Sequence, residues 1–335
     1  MKIIQNRRHF LAGLSAVGSA GLFGVQPSIA ATTGPPPEVS KIRLAKIPGV
    51  CIAPQYVAEE LLHAEGFDEI EYVESDPGTA TTLNTASGKI DFSLNFITSS
   101  IVAIDQGKGL TLLSGVHSGC NELFVRPGIN SLRDLRGKRI GVRALGSSPY
   151  LFLASMAAYV GIDPLRDINW ITDVRAKELF ANGEVDAFLG FPPEPQELRA
   201  RGIGRVLINS ALDQPWAGYF CCLLAGNADF VREHPVTSKR VLRAILKAAD
   251  LCAEQPEVAA RRLVERNFTA NYDYALEALA EVPYRKWREY DSEDAVRFYS
   301  LRLQEAGMIR STPQTIIANG TDWRFLNELK RELKT

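Results

Sequence analysis

The residues of this 335-residue chain best suited to grip a small ligand are hydroxyls and amides grouped at helix starts. Gly146-Ser147-Ser148 stands directly before an apolar run with Pro149 in its first turn. Two hydroxyls, unpaired backbone N–H groups and the positive end of a helix dipole would converge there on an anion. An ordinary helix cap at Ser147 or Ser148 needs the same residues and no ligand. Thr98-Ser99-Ser100 repeats the arrangement after the apolar run DFSLNF, where Asn95 can both donate and accept hydrogen bonds. Asp91 opens that run at its other end and reads as structural.

Tyr150, Phe191 and Trp216 could box a planar ligand, although aromatic residues at such spacings also build cores. Glu194, in FPPEP, is the carboxylate expected at a cleft mouth, accepting from a ligand amino group or standing in solvent. His117 and Cys120, with Cys51 on a separate loop, are donor types that suit zinc or copper. No CxxC or HxxxH spacing supports such a site, so the expectation is no metal and no cofactor. His117 would then hydrogen-bond to a ligand or a loop. Cys221 and Cys222 adjoin in YFCCLLAG; neighbours on a strand point to opposite faces, so they read as buried, unbridged small side chains. The chain lacks a GxSxG elbow, and beyond the first thirty residues histidine occurs only at 63, 117 and 234. His63 and His234 look structural, and a binding protein rather than an enzyme is expected.

These residues need a scaffold, and the chain alternates strand and helix to supply one. KIRLAKI, EIEYVES, DFSLNF and LTLLSGV read as strands, with helices between them that stop at Gly66 and Gly88. ELFVRPG is expected to continue that first sheet. RIGV, INWI, DAFLGF and GIGRVLINS repeat the pattern, and GYFCCLLAG returns the chain to the first unit, followed by long amphipathic helices. The alternation predicts an α/β fold of two lobes, residues 41–126 with 217–335 and residues 127–216, facing each other across a cleft. Ligands of open α/β sheets sit beyond the carboxyl ends of the strands. The functional loops are therefore expected at 48–55, 95–100, 115–121, 145–150 and 190–196.

The first thirty residues read as an export signal of the twin-arginine type: Arg7-Arg8, an apolar run of modest strength, and cleavage near Ala30. Residues 31–40 are a polar, Pro-rich linker with nothing to pack. Five cysteines in an oxidising compartment permit at most two disulfides, of undetermined pairing. A net charge of −1 provides no field to recruit nucleic acid.

IAPQYVAEELL, SGKIDFSLNF, SLRDLRGKRIGV, NGEVDAFLGFPPEP and REHPVTSKRVLRAILKAAD, taken in order, resemble solute-binding proteins of ABC importers. The group is the one for nitrate, sulfonate and taurine that also includes thiamine-pyrimidine binders. The resemblance spans residues 40 to about 305. It implies the periplasmic-binding-protein type II fold, a monomer in the periplasm, and a permease with an ATPase subunit as partners. The bound solute would be a sulfonate, a carboxylate or a heteroaromatic compound. Some enzymes share this fold, among them a thiamine-pyrimidine synthase with a CCCFC motif, of which this chain has only Cys221-Cys222. A pyrimidine-directed enzyme and a sensor-linked binding protein are the alternatives.

Overall fold

A computed structural model describes residues 34–333; the expected signal at 1–30 lies outside the described residues. Ten strands are present among them: β1 (Lys41–Lys46), β2 (Glu69–Glu74), β3 (Phe92–Phe96), β4 (Leu110–Ser118), β5 (Glu122–Val125), β6 (Arg139–Val142), β7 (Asn169–Thr172), β8 (Ala187–Gly190), β9 (Arg205–Asn209) and β10 (Phe220–Asn227). β3, β8 and β10 are buried along their whole length, as strands covered on both faces must be.

The strands form two five-stranded sheets, ordered β2-β1-β3-β10-β4 and β7-β6-β8-β5-β9. In the first, β1 runs parallel to β2 and β3, and β10 is antiparallel to β3 and β4. In the second, β6 runs parallel to β7 and β8, and β5 is antiparallel to β8 and β9. Each sheet therefore carries four strands that run in one direction and one antiparallel strand that arrives from the other unit. The chain crosses between the sheets at residues 119–121 and again at 210–219.

A repeated clamp marks the same position in both units. The Asp91 carboxylate, 2 % exposed, accepts from the Arg43 backbone N–H at 2.6 Å and from its guanidinium at 2.5 Å. Asp186 accepts from the Arg139 N–H and guanidinium, both at 2.9 Å. The motifs GKIDF and GEVDAF thus tie the third strand of each unit to the first, which bears out the structural reading of Asp91.

Two expectations need correction. ELFV does not extend the first sheet: β5 pairs with β8 and β9, so the step between units falls before Glu122 rather than after residue 126. Linker residues expected to hang free are tied down. The Glu38 carboxylate accepts from the N–H groups of Val236 (2.8 Å) and Thr237 (2.7 Å) at the start of the helix Pro235–Glu254, where the dipole favours an anion. Arg240 of that helix donates to the Pro35 carbonyl at 2.8 Å. The helix buries Val241, Leu242, Ile245, Leu246, Ala249 and Cys252 on one stripe and packs against the short helix Ala53–Val57, fixing the loop that carries Cys51. No helix among the described residues is long and apolar enough to cross a membrane.

Candidate functional site

The carboxyl ends of the parallel strands of one sheet meet those of the other along a seam. Ser99, after β3, and Ser148, after β6, hydrogen-bond through their hydroxyls at 2.5 Å. Thr79, after β2, donates to the Gly146 carbonyl at 2.5 Å. Val50, after β1, donates its N–H to the Pro192 carbonyl at 3.1 Å, and the Phe96 and Phe191 rings meet edge to face at 5.3 Å. Such close approach needs a glycine at 78, where φ is +83° and a Cβ would lie 2.5 Å from Ser148 Oγ.

Polar groups at this seam are not all satisfied. Asn95 donates to the Gly78 carbonyl (2.9 Å) and to Thr82 Oγ1 (2.8 Å), but its buried Oδ1 has no partner. The same holds for Thr98 Oγ1 and Ser147 Oγ. Ser147 occupies the N-cap position of the helix Ser148–Tyr159, yet its hydroxyl makes no capping bond. Buried polar atoms usually find partners, and three orphans at one seam are the mark of a surface shaped for something else. Beside them a cavity of about 290 Å³ is lined by Asp76, Thr79, Arg143, Leu145, Ser147, Val174 and Phe191, among others. Among cations at or after the strand ends, Lys46 pairs with Glu74 and Arg175 with Asp173. Arg143 lines the cavity and has no ion-pair partner among the described residues. Leu145 and Val174, 62 % and 70 % exposed, form an apolar rim.

The aromatic box does not form. Tyr150 packs on Trp170 at 4.7 Å between centroids, and Phe191 packs on Phe96. Trp216, 1 % exposed, lies in the second crossing among Phe152, Tyr159 and Phe298. The three rings join one continuous core through different neighbours, and of the three only Phe191 also lines the cavity. Glu194 begins the helix Glu194–Ala200 and accepts from the Phe191 N–H at 3.3 Å. Burial pushes its carboxyl up to about 7, against the pull of that N–H.

His117 does not reach the hydroxyl seam. It lies fully buried at the end of β4, in a nest of thiols. Donor atoms of Cys51, His117, Cys120 and Cys222 all fall within 4.8 Å of one another. Cys221 Sγ adds contacts at 3.5 Å to His117 Nδ1, 3.5 Å to Cys120 Sγ and 3.9 Å to Cys222 Sγ. Opposite faces were expected for Cys221 and Cys222. A register shift prevents this: Phe220 pairs with Ser118 and Cys222 with His117, leaving Cys221 as the extra residue of a bulge. All five cysteines are free and buried.

Charge in this nest is shared. Hydrogen bonds from the Cys120 and Cys222 thiols, aided by His117, hold the Cys51 thiol well below its ordinary value. Burial alone would lower the His117 pKa, but the facing Cys221 and Cys51 sulfurs override it and push it up to about 10. The arrangement is a buried imidazole enclosed by the sulfurs of Cys51, Cys120, Cys221 and Cys222. No local spacing in the sequence announces it, because its members come from the β1 loop, β4, the first crossing and β10.

A family model described as NMT1/THI5-like matches residues 51–259. The curated 4-amino-5-hydroxymethyl-2-methylpyrimidine phosphate synthase of Schizosaccharomyces pombe is 26% identical over 215 residues, 58% of this chain. The match spans 61% of that relative's length. Among solved structures, the periplasmic nitrate-binding protein NrtA of Synechocystis PCC 6803 aligns with a TM-score of 0.74 at 16% identity, over 90% of each chain. The alkanesulfonate-binding protein SsuA of Xanthomonas axonopodis pv. citri, bound to MOPS, aligns with a TM-score of 0.69 at 18% identity, over 85% of this chain and 99% of that one. At such identities the likeness is one of fold, and the fold is that of the periplasmic binding proteins.

Proposed function

The chain belongs to the NMT1/THI5-like family, and from that premise we propose that it is the exported substrate-binding subunit of an ABC importer. One observation carries the reading: hydroxyls from opposite units meet at Ser99–Ser148 while Asn95 Oδ1, Thr98 Oγ1 and Ser147 Oγ lie buried and unpaired beside them. A solute that accepts from the hydroxyls and donates to Asn95 would fill those valences and hold the two units together. Only its greater affinity for the closed arrangement can drive closure. One chain supplies both walls, so a monomer suffices, and ATP hydrolysis belongs to a partner subunit that drives the permease.

Arg143 and the apolar rim of Leu145 and Val174 favour a small organic anion, a sulfonate or a carboxylate, over an inorganic one. With the aromatic box absent, a flat heteroaromatic ligand loses its main support. The export signal and the periplasmic neighbours support a location outside the cytoplasm.

A thermal-shift screen of the protein against sulfonates, aromatic and aliphatic carboxylates, nitrate and pyrimidines tests this. A ligand at one hundred times its Kd should add about 2.7 kcal/mol of stability. The reading requires such a shift with an organic anion, and recovery of that compound unchanged. A chemically altered compound, or a shift with pyrimidines alone, would favour the synthase-like reading that the S. pombe relative supports.

A further inference from the structure

We propose that Cys51, His117, Cys120 and Cys222 form a four-coordinate site for one thiophilic d10 metal ion, zinc or cuprous copper. Three sulfurs and one imidazole, with their donor atoms within 4.8 Å of one another, are the soft donor set such ions select. No carboxylate belongs to the group, which disfavours magnesium or calcium. His117 carries the second observation. Its Nδ1 lies 3.3 Å from the Ser118 carbonyl, whereas its Nε2 is buried without a hydrogen-bond partner. A backbone carbonyl that holds one ring nitrogen protonated leaves the other with a lone pair for a metal. Cys221 stands 3.5 Å from Cys120 Sγ as a fourth sulfur that can exchange with the coordinating ones.

The surroundings provide a way in. Cys120, 6 % exposed, lines a cavity of about 260 Å³ together with Glu122, Gln196, Asn209 and Glu281. An entering cation meets carboxylate and amide oxygens before it meets sulfur. On binding, each coordinating thiol loses its proton to solvent, and the imidazole binds in its neutral form. No electron is transferred: the ion enters as Zn(II) or Cu(I) and keeps that state.

Location gives the ion a role distinct from the solute. Cys120 lies in the first crossing between the sheets, and Cys222 lies just after the second. Cys51 follows Val50, whose N–H bonds to Pro192 of the other unit. A bound ion would staple the hinge end of the seam.

The test is metal analysis of the full chain, prepared anaerobically with reductant and dialysed against zinc or Cu(I) in separate arms, with Co(II) as a spectroscopic probe. The expected result is one tightly held ion per chain, in the zinc arm, the copper arm or both. Co(II) should give an intense tetrahedral spectrum with thiolate-to-cobalt charge transfer. Cys51→Ser, Cys222→Ser and His117→Gln should each weaken binding by at least about tenfold, while Cys252→Ala, outside the cluster, should leave it unchanged. Circular dichroism of each variant separates lost binding from lost folding, and Cys120→Ser provides a further ligand deletion. Less than a tenth of an equivalent in both arms would overturn the proposal. So would octahedral cobalt, or a Cys120–Cys221 disulfide that persists under reductant and excludes metal.

Discussion

The seam between the two units has a hard end and a soft end. At the mouth, Asn95, Thr98, Ser99, Ser147 and Ser148 present oxygen and amide groups, three of their atoms unpaired, beside a cavity with an exposed arginine. At the hinge, the donors are sulfur and imidazole, buried and supplied by the segments at and beside the crossings between sheets and by the loop after β1. The mouth is built from hydroxyls on helix first turns, which can let go of a ligand when the units separate. The hinge end is built from side chains of the first unit and of the segments that cross between the sheets. On the proposed function the first region captures and releases the solute, and on the further inference the second holds a resident ion.

The strongest way to break the comparison is to wedge the mouth. Gly78→Val forces a side chain at φ +83° against Ser148 Oγ. It should abolish the ligand-induced rise in Tm and lower the stability of the free protein by about 1–3 kcal/mol. A retained thermal shift would show that ligand does not need the seam closed. Next in size, Ser147→Ala with Ser148→Ala should weaken ligand binding by about 1–3 kcal/mol in calorimetry. Cys222→Ser should leave solute affinity within about twofold, as for sites that share no partners. If the serine pair changes metal content, or Cys222→Ser abolishes solute binding, the two ends are one site.

Glu194 gives a smaller, pH-dependent effect. Its folded pKa of about 7 lies above the ordinary 4.5, so between those values the folded state holds a proton the unfolded state has lost. Stability from this group is therefore present below pH 4.5 and falls as pH rises through 7. Glu194→Gln should flatten that slope and stabilise the protein by about 1–2 kcal/mol above neutrality, seen in denaturant titrations at several pH values. An unchanged slope would place the carboxyl in solvent. Smallest of all, Arg143→Gln should weaken an organic anion by about 0.5–1 kcal/mol, and less in high salt, because the guanidinium is exposed.

Much of the scaffold was legible because it is local. Period-two runs such as KIRLAK, and helix stops at Gly66 and Gly88, where φ is positive, need no partner to be recognised. Hydroxyls after β3 and β6 could be placed at the seam, since ligand sites of α/β sheets follow strand carboxyl ends. What was not legible is long-range. Whether ELFV joins one sheet or the other depends on β8 and β9, more than sixty residues away. The bulge that turns Cys221 and Cys222 toward His117 is a mismatch between β10 and β4, and neither strand encodes it alone. The aromatic residues did not form one box because a loop position does not say which way a ring turns: Phe191 lines the cavity, whereas Trp216 faces the core from within a crossing.

The central claim is that the hydroxyl mouth, not the thiol end, holds the solute. A crystal structure of the protein with the organic anion identified by thermal shift tests it most directly. The account predicts ligand density in the cavity lined by Thr79, Arg143 and Ser147, with its polar atoms on Asn95 or the serines. Density in the cavity beside Cys120 and Glu122, with the mouth hydroxyls still bonded to each other, would contradict it.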